Sequence, residues 1–335
     1  MINDKKDLFY NIDPESVMLA AEMSGYIPTG EFTQLNSYEN RVFDLKLESP
    51  INFKKNLPPE LQNSENIFFD PNHVILKFYR PLRWSKEALD EEHSFLTELI
   101  KNEIPAVPTL NPVQKINDVY FTVFPKIKGR LPQEFFPQDR KRIGQLLAKL
   151  HNVGAAKKFT HRPQIASTPY SAWENLDLNM GLVSGEVRDR YEDAAVKIID
   201  HLDEKLPTTD FIRIHGDCHR GNLLMNSQSQ FFILDFDDCL NGPSIQDFWM
   251  LFADLDSEEE REDFVTGYSE FREFPTEQWP LVPLLQGLRI INYASWIARR
   301  WNDPFFKKTF NYFNTYNYWV DETEALEKIA WKLVD

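Results

Sequence analysis

The sequence predicts an α+β chain of two lobes, a small antiparallel sheet in front and a larger, mostly helical remainder. Three observations carry that expectation. Runs with strand character crowd into residues 32–47, 68–79 and 119–124. Residues 138–153, 185–205, 244–255, 257–272, 280–301 and 321–333 instead show helical period. The two regimes meet near Phe124 to Gly129, which suits a hinge, so the lobes are expected at 1–125 and 126–335. Ligands favour clefts between lobes of this kind.

The elements follow in order. Residues 13–24 open on Asp13 as cap, Pro14 at the first helical position and Glu15 in the first turn, which predicts a helix. Residues 32–47 read as two strands around Asn36-Ser37-Tyr38-Glu39-Asn40. Residues 68–79 read as a strand, a turn at Asp70-Pro71-Asn72 and another strand. Residues 84–101 are helical, with Leu89, Phe95, Leu96 and Leu99 on or near one face. The strand 119–124 is expected to break at Pro125, and later strands are confined to the stretch around Ile214 to Asp235. There is no internal repeat and no low-complexity segment.

Composition narrows the function. A length of 335 residues suits about two domains, and 42% hydrophobic with 14% aromatic residues is enough for a large core. Asp plus Glu number 52 against 37 Lys plus Arg, a net charge of −15 that repels nucleic acid and anionic lipid alike. Neither is expected as a partner, and a monomer is expected. Met1 to Tyr10 holds no apolar core of signal-peptide length. No apolar run approaches the ~18 residues of a membrane span. The only cysteines, Cys218 and Cys239, form no CxxC pair, which argues against a disulfide scaffold or zinc cluster and fits a reducing cytoplasm.

The chemistry concentrates in Ile214-His215-Gly216-Asp217-Cys218-His219-Arg220-Gly221-Asn222, followed by Phe231-Phe232-Ile233-Leu234-Asp235. Asp217 and Asn222 stand five positions apart in a loop, and Asp235 ends a strand. Phosphoryl transfer needs this set: a carboxylate to accept the proton of the attacking hydroxyl, and an amide oxygen and second carboxylate to hold Mg²⁺ on the nucleotide phosphates. Lys77, in the run Val74-Ile75-Leu76-Lys77-Phe78, suits a phosphate contact, although an edge-strand lysine in water fits the same pattern. Glu91 and Glu92 point about 100° apart on a helix, and Glu92 shares the face of Phe95 and Leu96, so Glu92 is chosen as partner of Lys77. Ser37 and Arg41 lie in or beside the turn that would cover the phosphates, a turn without glycine. Taken without the other elements, a plain polar hairpin turn explains them more simply.

His215 is expected to be buried and bonded to backbone, holding the loop in shape, and Cys218 to be a small packed thiol. Asp237 is a reserve metal ligand and Arg220 a weaker phosphate contact. A glycosidase would also use two carboxylates, but it leaves Lys77 and Asn222 idle. Arg289, Tyr293, Trp296 and Arg300 form one helical stripe, which packing explains more simply than an acceptor wall.

His215-Gly216-Asp217-x-His219-x-Gly221-Asn222 with Ile233-x-Asp235 resembles the aminoglycoside phosphotransferase and choline kinase branch of the protein-kinase-like superfamily. More narrowly, Leu35 to Val42, Lys77-Phe78-Tyr79-Arg80-Pro81, Glu91-Glu92-His93, His161-Arg162-Pro163, Asn241-Gly242-Pro243-x-x-Gln246-Asp247 and Arg299-Arg300-Trp301-x-Asp303-Pro304 resemble the bacterial stress response kinase A family. The resemblance implies a bilobal protein-kinase-like fold and a cytoplasmic kinase of protein Ser/Thr residues that uses ATP and Mg²⁺ in stress survival. It assigns Asp217 as base, Asn222 and Asp235 as Mg²⁺ ligands, Lys77 as the phosphate-contacting lysine and Asp247 as a tie to the catalytic loop. Asp235-Phe236-Asp237 replaces Asp-Phe-Gly and no Ala-Pro-Glu segment is evident, so a phosphorylated activation loop is not expected. A small-molecule hydroxyl kinase is the alternative acceptor class. A nucleotide-binding scaffold is the third reading, and it has no use for a base.

Overall fold

The structure is a computed structural model describing residue 9 and residues 12–52, 69–167, 171–252 and 257–333. Most of the N-terminal segment expected to lack a signal core lies outside the described residues. So do Phe68 and residues 253–255, the ends of an expected strand and helix.

In chain order the elements are α1 (Pro14–Met23), β1 (Pro28–Leu35), β2 (Arg41–Leu47), β3 (Phe69–Phe78), α2 (Lys86–Lys101), β4 (Gln114–Ile116) and β5 (Val119–Ile127). Then come α3 (Pro137–Ala155), α4 (Ala172–Met180), α5 (Arg188–Lys205), β6 (Ile212–Ile214), β7 (Leu223–Met225), β8 (Phe231–Ile233) and β9 (Leu240–Gly242). The chain ends in α6 (Gln246–Phe252), α7 (Glu258–Ser269), α8 (Val282–Arg299), α9 (Pro304–Thr309) and α10 (Tyr316–Trp331). They gather into two compact units. One is Met1–Arg162, Arg213–Cys239 and Met250–Phe274; the other is Pro163–Ile212, Leu240–Trp249 and Pro275–Asp335.

The first unit is built on an antiparallel sheet of order β1-β2-β3-β5-β4. Alternation along β2 turns Phe43, Leu45 and Leu47 into a core shared with Val74, Leu76 and Phe78 of β3 and with Val17, Ala20 and Ala21 of α1. Helix α1 starts where the sequence places it, with the Asp13 carboxylate accepting the Ser16 N–H at 2.7 Å.

Two prolines behave differently from expectation. Asp70-Pro71-Asn72 makes no turn between two strands; it lies within the single strand β3, whose register against β5 shifts between Phe69 and Val74. Pro125 does not end β5, which runs on to Ile127 with Pro125 opposite Val74. Both prolines sit at or beside that irregularity, and a strand accommodates proline where the ladder is already interrupted. Elsewhere in this unit α3 crosses α7 at backbone contact. A Cβ on Gly144 would meet the Phe264 carbonyl oxygen at 2.1 Å, and one on Gly267 the Lys141 carbonyl oxygen at 2.0 Å, so both positions require glycine. The hairpin β7–β8, paired Leu223↔Ile233 to Met225↔Phe231, lies between the Asp217 loop and Asp235.

The second unit is helical, with the Tyr191 ring edge-on to Trp319 at 5.6 Å between α5 and α10. Two rings of the α8 stripe meet other aromatic rings. Tyr293 stacks on Trp296 at 5.5 Å, and Trp296 meets Phe306 at 4.9 Å and Phe310 at 5.6 Å. Among the described residues, no helix is long and apolar enough to cross a membrane.

Candidate active site

Lys77 lies on β3 between Val42 and Thr122 of the flanking strands, so it is an interior-strand lysine and not an edge one. Its side chain is 8% exposed, with Nζ 3.1 Å from Asp235, 3.4 Å from Asp237 and 3.9 Å from Glu92. Burial alone would lower its ammonium, but Asp235, Asp237 and Glu92 outweigh burial and hold it well above the usual lysine range. Glu92, on α2 as the helical face predicts, is fully buried and bonded more closely to Arg162, at 2.7 Å. Burial raises its carboxyl against the opposing pull of Lys77 and Arg162.

Around the Asp217 loop, His215 is fully buried. Its Nε2 donates to the Leu234 carbonyl oxygen at 2.7 Å and its Nδ1 accepts the Asp217 N–H at 3.3 Å. The histidine therefore spans the hairpin from the Asp217 loop to the residue before Asp235, the structural role the sequence suggested. Asn222 donates from Nδ2 to the Asp217 carbonyl oxygen at 2.9 Å, and its amide oxygen Oδ1 is the acceptor atom of the side chain. Asp235 is in the left-handed region, φ 56° and ψ 69°, with half its side chain exposed. A non-glycine residue held there costs free energy, and such strain gathers where a side chain must be aimed. Cys218 is buried, as expected of a packed thiol. Asp247, fully buried at the start of α6, donates its N–H to the Ser244 carbonyl oxygen.

The turn after β1 is held by arginines that pattern reasoning did not single out. Arg80 donates to the Glu39 and Tyr38 carbonyl oxygens at 2.9 and 3.2 Å, and its own N–H reaches Asn40 Oδ1 at 3.1 Å. Arg83 pairs with Asp237, with Asp238 and, at 3.7 Å, with Glu39. Asp237 is thus a buried counter-ion: burial would raise its carboxyl, but Arg83, Lys77 and Arg162 hold it below the usual carboxylate range. Ser37 Oγ accepts the Asn40 N–H at 3.3 Å inside the turn, and the buried Arg41 sets its guanidinium 5.0 Å over the Phe9 ring. Arg220 reaches the Gln133 carbonyl oxygen at 2.7 Å. Arg80 and Arg162 occur in the resemblance blocks, but no periodicity signals their partners; Arg83 occurs in none.

Among the described residues, no three His, Cys, Asp or Glu side chains are grouped as a metal centre. One carboxylate, Asp235, and one amide oxygen, Asn222, suit Mg²⁺, which keeps waters and substrate phosphates as its other ligands.

The phosphotransferase enzyme family matches residues 60–280 of this chain. The serine/threonine protein kinase RdoA of Salmonella typhimurium strain LT2 is 33% identical over 344 residues, covering 96% of this chain and 94% of that protein. Stress response kinase A of Salmonella choleraesuis strain SC-B67 is 33% identical with the same coverage. Among solved structures, the amicoumacin kinase hAmiN in complex with AMP-PNP and Ca²⁺ superimposes with a TM-score of 0.73 at 17% identity, over 98% of this chain and 96% of that one. That likeness speaks for the kinase-like fold.

Proposed function

The chain belongs to the phosphotransferase enzyme family and is related to stress response kinase A, and from that premise we propose that it transfers the γ-phosphoryl group of ATP to a protein serine or threonine hydroxyl with Mg²⁺. The observation that carries the proposal is Lys77 Nζ at 3.1 Å from Asp235, residues 158 positions apart, with the Asp217–Asn222 loop locked by His215.

Asn222 and Asp235 would hold Mg²⁺, which when bound neutralises charge on the phosphate oxygens. Lys77, fixed beside Glu92, meets the phosphates, and Ser37 and Arg41 belong to or border the turn that covers them. Asp217, with its backbone fixed on both sides, orients the acceptor hydroxyl and takes its proton. In this reading residues 1–125 clamp the nucleotide and 126–335 carry the catalytic loop and the acceptor. The net charge of −15 and two cysteines suit a cytoplasmic monomer without nucleic-acid or membrane partners.

A small hydroxyl-bearing acceptor is the second reading. It is favoured by the short chain from Asp235 to α6 at Gln246, occupied by the 3₁₀ turn Phe236–Asp238 and β9, which leaves no length for an extended activation segment. Labelled ATP with Mg²⁺, offered with a protein panel and with a panel of hydroxyl metabolites, separates the two. Transfer to Ser/Thr of protein is expected; transfer only to metabolites selects the second reading, and transfer to neither removes both.

A further inference from the structure

Ala88, Glu91, Glu92, Phe95 and Glu98 recur at helical spacing along α2, and each is engaged by chain far away in sequence. The Glu91 carboxylate accepts three successive backbone N–H groups, from Thr160, His161 and Arg162, at 2.7, 2.8 and 2.9 Å. The Arg162 side chain is fully buried. Its Nε donates to the Ala88 carbonyl oxygen at 2.9 Å and its Nη2 to Glu92 at 2.7 Å. Its Nη1 reaches the Asp237 and Cys239 carbonyl oxygens at 2.8 and 3.1 Å, and its guanidinium lies 4.6 Å over the Trp84 ring. One turn beyond Phe95, a second buried arginine repeats the arrangement. Arg213 donates to Glu98 and to the Val153 carbonyl oxygen, both at 2.8 Å, and lies 4.5 Å over the Phe95 ring.

A guanidinium out of water is tolerated only while its partners stay in place. Any shift of α2 that carried Glu92 from Lys77 would strip Arg162 of two partners on the helix and Arg213 of one. We propose that Arg162 and Arg213 are positioning residues that clasp helix α2, so that Glu92 stays beside Lys77 and the lysine is not switched by movement of this helix. The clasp bears on catalysis through the reading that Lys77 meets nucleotide phosphates. Arg162 acts through the segment it bridges, touching neither phosphate nor acceptor.

The test uses Arg162→Lys and Glu91→Gln in the full chain. A lysine keeps the charge but is a point donor that cannot serve four acceptors in the planar pattern of a guanidinium. Arg162→Lys is expected to quicken amide hydrogen exchange across Lys86–Lys101 while leaving Arg188–Lys205 unchanged, because local opening is read element by element. It is also expected to raise KM for Mg·ATP about tenfold, the order seen when a group that orients a ligand is lost, with kcat little altered. Glu91 is only part-buried, so Glu91→Gln should fold even if Arg162→Lys does not, and should shift exchange and KM in the same direction by less. Unchanged exchange in α2 for every variant that folds overturns the clasp, as does an equal loosening of α5. A parent protein that takes up no Mg·ATP sinks the kinase reading and not the clasp, which the exchange rates alone uphold or overturn.

Discussion

The two halves of the site are built on opposite principles. Lys77, Glu92 and Asp237 have side chains 8%, 1% and 3% exposed, and each has a charged partner within 3.4 Å. Asp217 and Asp235 are 24% and 50% exposed, and hydrogen bonds to backbone or a left-handed residue set their loops. Buried charges must be compensated where they stand, so the first half is a frame whose geometry is part of the folded state. The second half keeps its carboxylates partly open to water, with Asp235 3.1 Å from Lys77 Nζ and Asp217 3.6 Å from His219 Nε2. The comparison implies that damage to the frame registers as lost stability, and damage to the loop as lost turnover.

Asp217→Asn is the sharpest way to break the comparison and carries the largest effect. An amide keeps the shape of the side chain and the His215 bond to the backbone N–H, but cannot take the hydroxyl proton. Turnover should fall by roughly 10²–10⁴-fold, the range for removing a positioned base, with the unfolding midpoint unmoved. Steady-state kinetics beside denaturant unfolding measures both. Turnover within a few-fold of the parent would remove Asp217 as the base.

Arg83→Met should do the reverse. Asp237 and Asp238 would lose their shared guanidinium, and removing one partner from a buried pair costs about 3 kcal/mol. The pH dependence gives the sign. Asp237 is held below its usual range in the folded state, so its ion pairs contribute stability above the unfolded value near 3.8, and that contribution is lost as pH falls through the lower folded value. The gap between parent and variant should therefore be full near neutral pH, begin to narrow below about pH 4 and close only toward the lower folded value. Urea unfolding of both proteins at pH 7 and near pH 3 checks this. A gap that is constant with pH would mean that Arg83 stabilises by packing alone.

The same division explains what could be read from the sequence. Asp217, Asn222 and Asp235 lie within nineteen residues, and the chemistry of their spacing singles them out as candidates before any contact is known. Glu92 was legible because helical period fixes which of two neighbours faces inward. The arginines that compensate the frame were not legible. Arg83 meets Asp237 across 154 positions and Arg162 meets Glu92 across 70, and no local period records a pairing at such separations. Helical lengths survived the comparison best, because a buried face repeats many times in α5 or α8. The short elements β4, α4 and α9 repeat too little to leave a pattern, and Pro71 and Pro125 misled because tertiary pairing overrode a local breaker.

The smallest effect tests whether the comparison reaches the second unit. Arg300 donates from Nη1 to the Trp296 carbonyl oxygen at 3.0 Å and lies 5.3 Å over the Trp296 ring, which itself packs on Phe306 and Phe310. Its side chain is neither sealed from water like Arg162 nor set in a loop like Asp217. A cation over an aromatic ring at a partly exposed site contributes about 0.5–1 kcal/mol, and the arginine stem adds apolar cover to the ring. Arg300→Ala should therefore lower stability by about 1 kcal/mol or less and leave the ratio of phosphate transfer to ATP hydrolysis unchanged. If the stripe instead forms a wall for an acidic acceptor, transfer will fall while hydrolysis and the unfolding midpoint hold, because bidentate steering of the acceptor is lost and the nucleotide half is untouched. Measuring transfer, hydrolysis and unfolding on this one variant decides between packing and recognition, and the stacked rings of Tyr293 and Trp296 favour packing.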